Sequence, residues 1–123
     1  MIRIPTSNDI AIEVNGRRLA VAQSYRAKTS RDSKYVEAFG AREPIATVGG
    51  RVQHLLELSR VVVEAGDGVD FHNATGFNVV IAKPDRKIVY SGCEWSAIDE
   101  VANLGTVVLE SVSIVAAKRM EIL

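Results

Sequence analysis

The chain has 123 residues, 47% apolar and 24% charged, with a formal net charge of zero. That is enough for one domain that buries a core without disulfides or metals, and too apolar a mixture for a disordered chain. Neutrality argues against a general nucleic-acid or membrane-surface role, which needs a basic excess.

The single cysteine, Cys93, leaves no partner for an internal disulfide. The opening "MIRIPTSNDIAIEV" lacks the basic start and continuous apolar run of a secretory signal, so a reducing compartment is expected. No apolar run approaches the roughly 18–20 residues of a membrane span. There is no internal repeat and no low-complexity tract.

The first element is a hairpin, "IAIEVNGRRLAVAQ". Ile10, Ile12 and Val14 alternate, Asn15-Gly16 supplies the pair of positive φ angles a tight turn needs, and Leu19 and Val21 resume the alternation. The second strand extends into the polar "SYRAKTS". Then comes "SRDSKYVEAFGAREPIATVGGR", Ser30 to Arg51, charged at its front, aromatic in the middle and closed by Gly49-Gly50. It is too long for a hairpin turn and reads as an extended loop over residues 26–50, with the two glycines permitting a tight reversal.

"RVQHLLELSRVVVEA" is ambiguous by period, but the Val61-Val62-Val63 run favours a long strand. "GDGVDFHNATG" is a glycine-bounded loop with one short helical turn between Val69 and Ala74. "FNVVIAKPDRKIVYSGCEWSAI" is a second hairpin turning at Pro84-Asp85. "DEVANLG" is a polar break that suits a helical turn, and "TVVLESVSIVAAKRMEI" is a closing strand. One face of that strand carries Val108, Glu110, Val112, Ile114 and Ala116; the other carries Val107, Leu109, Ser111, Ser113 and Val115. Six or seven strands with little helix predict a mainly β, antiparallel sandwich or barrel. It has a long inter-strand loop, at most one short helix, and one domain over residues 1–123.

The chemical inventory is thin. His54 and His72 are the only histidines, and with one cysteine they fall short of a metal site. Cys93 in "SGCEWS" matches no nucleophile motif and reads as an inert core thiol. Glu94, Asp99 and Glu100 read as a solvated turn rather than an acid–base pair, and Trp95 as core or interface. "TVGGRVQ" lacks the lysine and helix of a phosphate loop. Arg17, Arg18, Arg26, Lys28, Arg31 and Lys34 are interleaved with Asp32 and Glu37 as a mixed surface. No enzyme and no cofactor are expected.

The order of these features resembles the tail-tube family of contractile and long-tailed bacteriophages and phage-like bacteriocin particles. The resemblance lies in Val36, Phe39-Gly40, Pro44 and Gly49-Gly50 of the loop, then Leu56, Leu58 and Arg60 of the strand, then Phe77 to Ile81, Tyr90, Gly92 and Cys93. It covers most of the chain, with "EAFG.REP" and "Y.GC" its most specific parts. The chain is short of the helix many tube proteins carry on one flank, where "GVDFHNAT" stands instead. That leaves room for a tube-initiating or tail-completing relative.

The resemblance implies a structural virion protein made in the host bacterial cytoplasm and placed in the tail. It would form homohexameric stacked rings, with tail sheath and baseplate or tail-end proteins as partners, and DNA passing through the lumen without sequence-specific binding. On that reading Arg31, Asp32, Tyr35, Phe39, Arg42 and Glu43 make inter-ring contacts, and Ser111 and Ser113 line the channel. A second reading is a monomeric or dimeric β-barrel binding module. It would use residues 30–51 as a lid, with Trp95, Tyr35 and Phe39 in contact with a ligand or peptide.

Overall fold

The computed structural model describes residues 2–19, 21–63 and 68–123. Expected elements that touch Ala20 or residues 64–67, including the start of the glycine-bounded loop, lie partly outside the described residues. Eight strands follow one another: β1 (Ala11–Val14), β2 (Arg17–Arg18), β3 (Ala22–Val36), β4 (Ala46–Val61), β5 (Phe77–Ala82), β6 (Lys87–Val101), β7 (Leu109–Ala116) and β8 (Lys118–Ile122). Two single 3-10 turns, Ser7–Asp9 and Phe71–Asn73, are the helical content among the described residues. The fold is mainly β, and every pairing is antiparallel.

The hairpin turns form as their residues dictate. Asn15 (φ 50°) and Gly16 (φ 79°) adopt the two left-handed conformations that match the twist of β1 and β2. Pro84-Asp85 sit inside the β5–β6 turn, closed by the Lys83 amide donating to the Arg86 carbonyl at 2.8 Å.

Strand order is β2-β1-β5-β6-β7-β4-β3, with β8 also on β6. The key strand is β6. Its first half, Lys87–Cys93, pairs with β5 and β8; its second half, Glu94–Val101, pairs with β7. One half-sheet is therefore β2-β1-β5-β6-β8 and the other is β6-β7-β4-β3. Their inner faces meet in one core that includes Ile12, Val14, Leu56, Leu58, Phe77, Val79, Ile81, Tyr90, Val112 and Ile114. No ladder joins β1 or β2 to β3 among the described residues, so the barrel stays open along that seam.

The corner lies at Ser91-Gly92. Phe77 pairs with Cys93 and Val79 with Tyr90, so β6 carries one extra residue, a β-bulge. Gly92 has φ 63°, and a Cβ there would stand 2.8 Å from the Ala117 Cβ. Ala117 is the break between β7 and β8, and its amide donates to the Ser91 carbonyl at 3.0 Å. The closing strand expected to run unbroken is thus two strands, because it must follow β6 around this corner.

Two other expectations change. Residues 26–50 are mostly paired strand rather than loop: β3 is 15 residues, β4 is 16, and Arg31↔Val52, Ser33↔Gly49 and Val36↔Ala46 are in register. The "DEVANLG" break is not helical; β6 continues to Val101 and then turns at Leu104-Gly105.

One polar knot closes the end of the core. Arg60 Nε and Nη2 donate to Glu110 Oε1 at 3.1 and 3.0 Å, and Nη2 also donates to the Val69 carbonyl at 2.9 Å. The guanidinium lies 5.0 Å from the Phe71 ring centroid. This ties the 68–76 segment to the sheet and neutralises the only buried acidic side chain among the described residues.

A side chain at the corner should be costly. Gly92→Ala combines a left-handed backbone with an overlap at Ala117, and we expect a loss of about 1–3 kcal/mol in urea unfolding. An unchanged midpoint would show that the bulge tolerates a Cβ.

Candidate assembly surface

Beyond the core, β3 and β4 run on as a two-stranded arm. Arg31 to Gln53 are exposed on both faces of this ribbon, and an isolated two-stranded ribbon is marginally stable in water. The arm holds one irregularity: Arg31 faces Val52 and Ser33 faces Gly49, so Gly50-Arg51 bulge opposite Asp32. A Cβ on Gly49 would overlap the Arg31 guanidinium, and one on Gly50 would overlap the Asp32 carbonyl. The two glycines therefore do not reverse the chain, as the sequence suggested. They let the strands approach at the bulge.

The reversal is at the tip. The Ile45 amide donates to the Val36 carbonyl at 2.9 Å and closes a nine-residue loop, 37–45. Within it the Ala41 amide donates to the Ala38 carbonyl, with Gly40 at φ 82° as the third residue of the turn. Phe39 is at the apex and wholly exposed. Tyr35, Ile45, Val48 and Val52 add exposed apolar surface along the arm.

The residues singled out in the sequence thus fall into two groups. Phe39, Arg42 and Glu43 sit at the tip, with Tyr35 just behind; Arg31 and Asp32 sit at the base, Arg31 in the last pair before the bulge and Asp32 opposite it. Strand spacing puts Arg31 roughly 17 Å from Val36.

The second half-sheet offers a polar face. Ser111 pairs with Ser59 and Asp99, Ser113 with Glu57 and Ala97, and β3 adds Ser24 and Arg26 to the same rows. The Ser59 and Ser111 hydroxyls are 3.2 Å apart. Ser111 is exposed and Ser113 half-buried, while Glu110 points into the core.

This half-sheet also has two unpaired margins among the described residues. The outer side of β3 pairs with nothing, and Glu94–Val101 of β6 pairs only with β7. Neither is shortened; the β6 margin meets the 72–76 segment at Glu94 and Trp95 and is open beyond it.

No catalytic constellation accompanies these surfaces. His54 Nδ1 and the Thr29 hydroxyl are 3.0 Å apart, and the His54 ring lies edge-on to Tyr90. His72 packs against Trp95. The Gly76 amide donates to Glu94 Oε1, and Asp99 and Glu100 point to opposite faces of β6. No group of three or more metal-ligating side chains is found among the described residues. The clefts are open, and one of about 420 Å³ lies between the half-sheets near the base of the arm.

No protein-family model matches the sequence, and no curated protein matches it. The fold does have solved counterparts. A chain in the virion of a native gene transfer agent particle superposes with a TM-score of 0.75 at 11% identity, covering 98% of this chain and 100% of that one. A chain in the sheath/tube terminator of the PVC extracellular contractile injection system gives 0.77 at 9% identity, covering 100% and 99%. A chain in the tail of the empty gene transfer agent particle, of C6 symmetry, gives 0.75 at 12%, covering 98% and 100%. The chain has the fold of tail-tube subunits. That fold is the one the "EAFG.REP" and "Y.GC" segments resemble.

Within the tail-tube fold, sequence reasoning missed the arm as a structure and missed Leu104. The near-equal lengths of polar sequence on either side of "FGAREP" were the available sign of a long hairpin. Leu104, between Asn103 and Gly105, was readable as an apolar residue placed on a turn.

Cys93 is fully buried, and its Sγ donates to the Tyr90 carbonyl at 3.4 Å. Burial pushes its thiol up from 9.0 to about 11. Between those values the unfolded chain releases a proton that the folded chain keeps. The stability from the neutral thiol is whole below about pH 9 and falls as pH rises towards 11. Cys93→Val should therefore lose less thermal stability than the parent over that range. Parallel melting curves would refute the assignment.

Proposed function

We propose that this protein is a structural subunit that self-assembles into stacked hexameric rings. The stack forms the inner tube of a phage or phage-like tail, a conduit for DNA or an effector. The observation that carries this is the β6-β7-β4-β3 half-sheet, with both margins open among the described residues and small, polar middle rows on its outward face, between rows that hold Leu55 with Val115 and Val61 with Leu109. Four antiparallel strands are an even number, so β3 of one copy and β6 of the next run antiparallel when copies are related by rotation. Repeating that step closes a continuous sheet and removes both open margins of this half-sheet. Six copies is the number supported by the C6 symmetry of the gene transfer agent tail.

Ring closure turns the serine face inward. Ser111 and Ser113, with Ser59 and Ser24, line the channel with hydroxyls, which hydrate well and grip nothing passing through. Asp99, Glu57 and Arg26 add charge of both signs. The arm then bridges to the adjacent ring. Phe39 and Tyr35 supply the buried area, Arg42 and Glu43 the rim, and Arg31 and Asp32 anchor the base. Sheath and baseplate or tail-end proteins are the outer partners, in keeping with relatives from a sheath/tube terminator. The lid reading lacks such support, because a lid buries its inner side and residues 31–53 are exposed throughout.

Negative-stain microscopy of concentrated protein, alone and with a coexpressed sheath partner, should show rings or tubes. Replacing Ser33–Gly49 by Asn-Gly keeps the Arg31↔Val52 pair and removes the arm. We expect this variant to melt within a few degrees of the parent and to fail to stack. Persistent monomers of the parent would defeat the tube reading; tubes formed by the shortened variant would defeat the role given to the arm.

A further inference from the structure

The molecule carries a second apolar apex, which the arm does not explain. In the β6–β7 turn the Thr106 amide and hydroxyl donate to the Asn103 carbonyl at 3.0 and 2.9 Å, with Gly105 at φ 80°. Leu104 is held at the apex and is 106% exposed, against 110% for Phe39. Both turns place a large apolar residue directly before a left-handed glycine. A flexible loop would let such a side chain fold back; these two turns hold it out.

The two apices lie at opposite ends of the same half-sheet. β4 begins at Ala46 near the arm tip and ends at Val61, which pairs with Leu109; Leu109 pairs with Val101, the last β6 residue before the turn. The arm end also holds the open cleft of about 420 Å³, lined by Tyr25, Thr29, Ile81, Ile88 and Tyr90 with Lys83 and Arg119. That is more room than one leucine side chain needs.

Charge separates the ends as well. From Asp99 to Leu109, the stretch that carries the Leu104 turn, the acidic residues are Asp99 and Glu100, with no lysine or arginine. Around the cleft, Lys83, Arg86, Lys87, Lys118 and Arg119 outnumber Asp85 and Glu121. Like ends repel and unlike ends attract.

We propose that the Leu104 turn seats in the cleft at the arm end of a second copy, making the end-to-end contact heterologous and polar. The interface has two knobs: Phe39 reaching in one direction and Leu104 in the other. Such a contact does not close on itself and generates an open stack. This rests on the stacking reading above, and it names the receiving surface.

The test is Leu104→Asp in the full chain. Leu104 is fully exposed, so the melting temperature should match the parent. The concentration needed for polymer should rise by about tenfold or more, the factor that corresponds to about 1.4 kcal/mol per contact. In parallel, Ala102→Cys with Lys83→Cys, in a chain whose only other cysteine is buried, should give a ladder of disulfide-linked copies on oxidation of the polymer. If the parent polymerises and Leu104→Asp does so equally well, the knob is refuted and stacking stands. If the parent polymer forms but the double variant gives no ladder, the cleft is refuted. If the parent never polymerises, this inference and the tube reading fail together.

Discussion

The fold depends on one steric concession, the absence of a side chain at Gly92. β6 has to belong to two half-sheets, and a strand can turn from one to the other only where the ladder is interrupted and the backbone leaves the extended region. The bulge at Ser91-Gly92 supplies the interruption, and Ala117 answers it at the break between β7 and β8 with the smallest side chain that still has a Cβ. With the corner in place, Cys93 falls at the first position past it, fully buried, and Tyr90 at the last position before it. The "Y.GC" segment is therefore a corner rather than a chemical motif, and its cysteine is a small apolar filler that burial keeps protonated.

What the corner creates is an unfinished sheet. A sandwich whose half-sheets were both edge-protected would be content as a monomer. Among the described residues β3 pairs with nothing on its outer side, and the second half of β6 has an unpaired margin on the far side of the same half-sheet. The apolar surface left in water points the same way. Phe39, Leu104, Tyr35, Ile45 and Val48 are over half exposed, and none belongs to the core cluster. At about 25 cal/mol per Å² of apolar surface removed from water, covering such side chains would yield kilocalories for each contact made. The arm has the same logic in entropy. A ribbon exposed on both faces gains little from folding alone, so its order is completed by whatever it lies against.

Legibility in the sequence followed the strength of local signals. Asn15-Gly16 and Pro84-Asp85 fix their turns by backbone preference alone, and both turns stand where those residues put them; the strand expected to run from Leu19 into "SYRAKTS" is instead the two-residue β2 and the separate β3, which pairs with β4. The alternation of Phe77, Val79 and Ile81 gave the core face of β5 because one face is fully buried. The arm was illegible for the opposite reason. With both faces in solvent there is no apolar alternation to read, and a mixed-charge stretch with two glycines looks like a loop whether or not it pairs. Gly49-Gly50 misled for the same cause: close strand approach and chain reversal both demand glycine, and only the register of Arg31 with Val52 separates them. The break at Ala117 was hidden too, since the reason for it lies on another strand, at Gly92.

The closing strand shows how far one pair of neighbouring residues can carry the functional argument. Glu110 and Ser111 are adjacent, and a strand must send them to opposite faces. Glu110 is held inside by Arg60, whose guanidinium also holds the Val69 carbonyl and lies over Phe71. Slipping β7 by one residue would carry Glu110 out to solvent, break that knot from the carboxylate side and turn Ser111 and Ser113 into the core. The buried ion pair thus fixes the register of the strand, and the register keeps the hydroxyl face outward. A face of small hydroxyls next to two open strand margins is of little use to a lone molecule. It is what a wetted channel wall requires once neighbouring copies supply the missing strands.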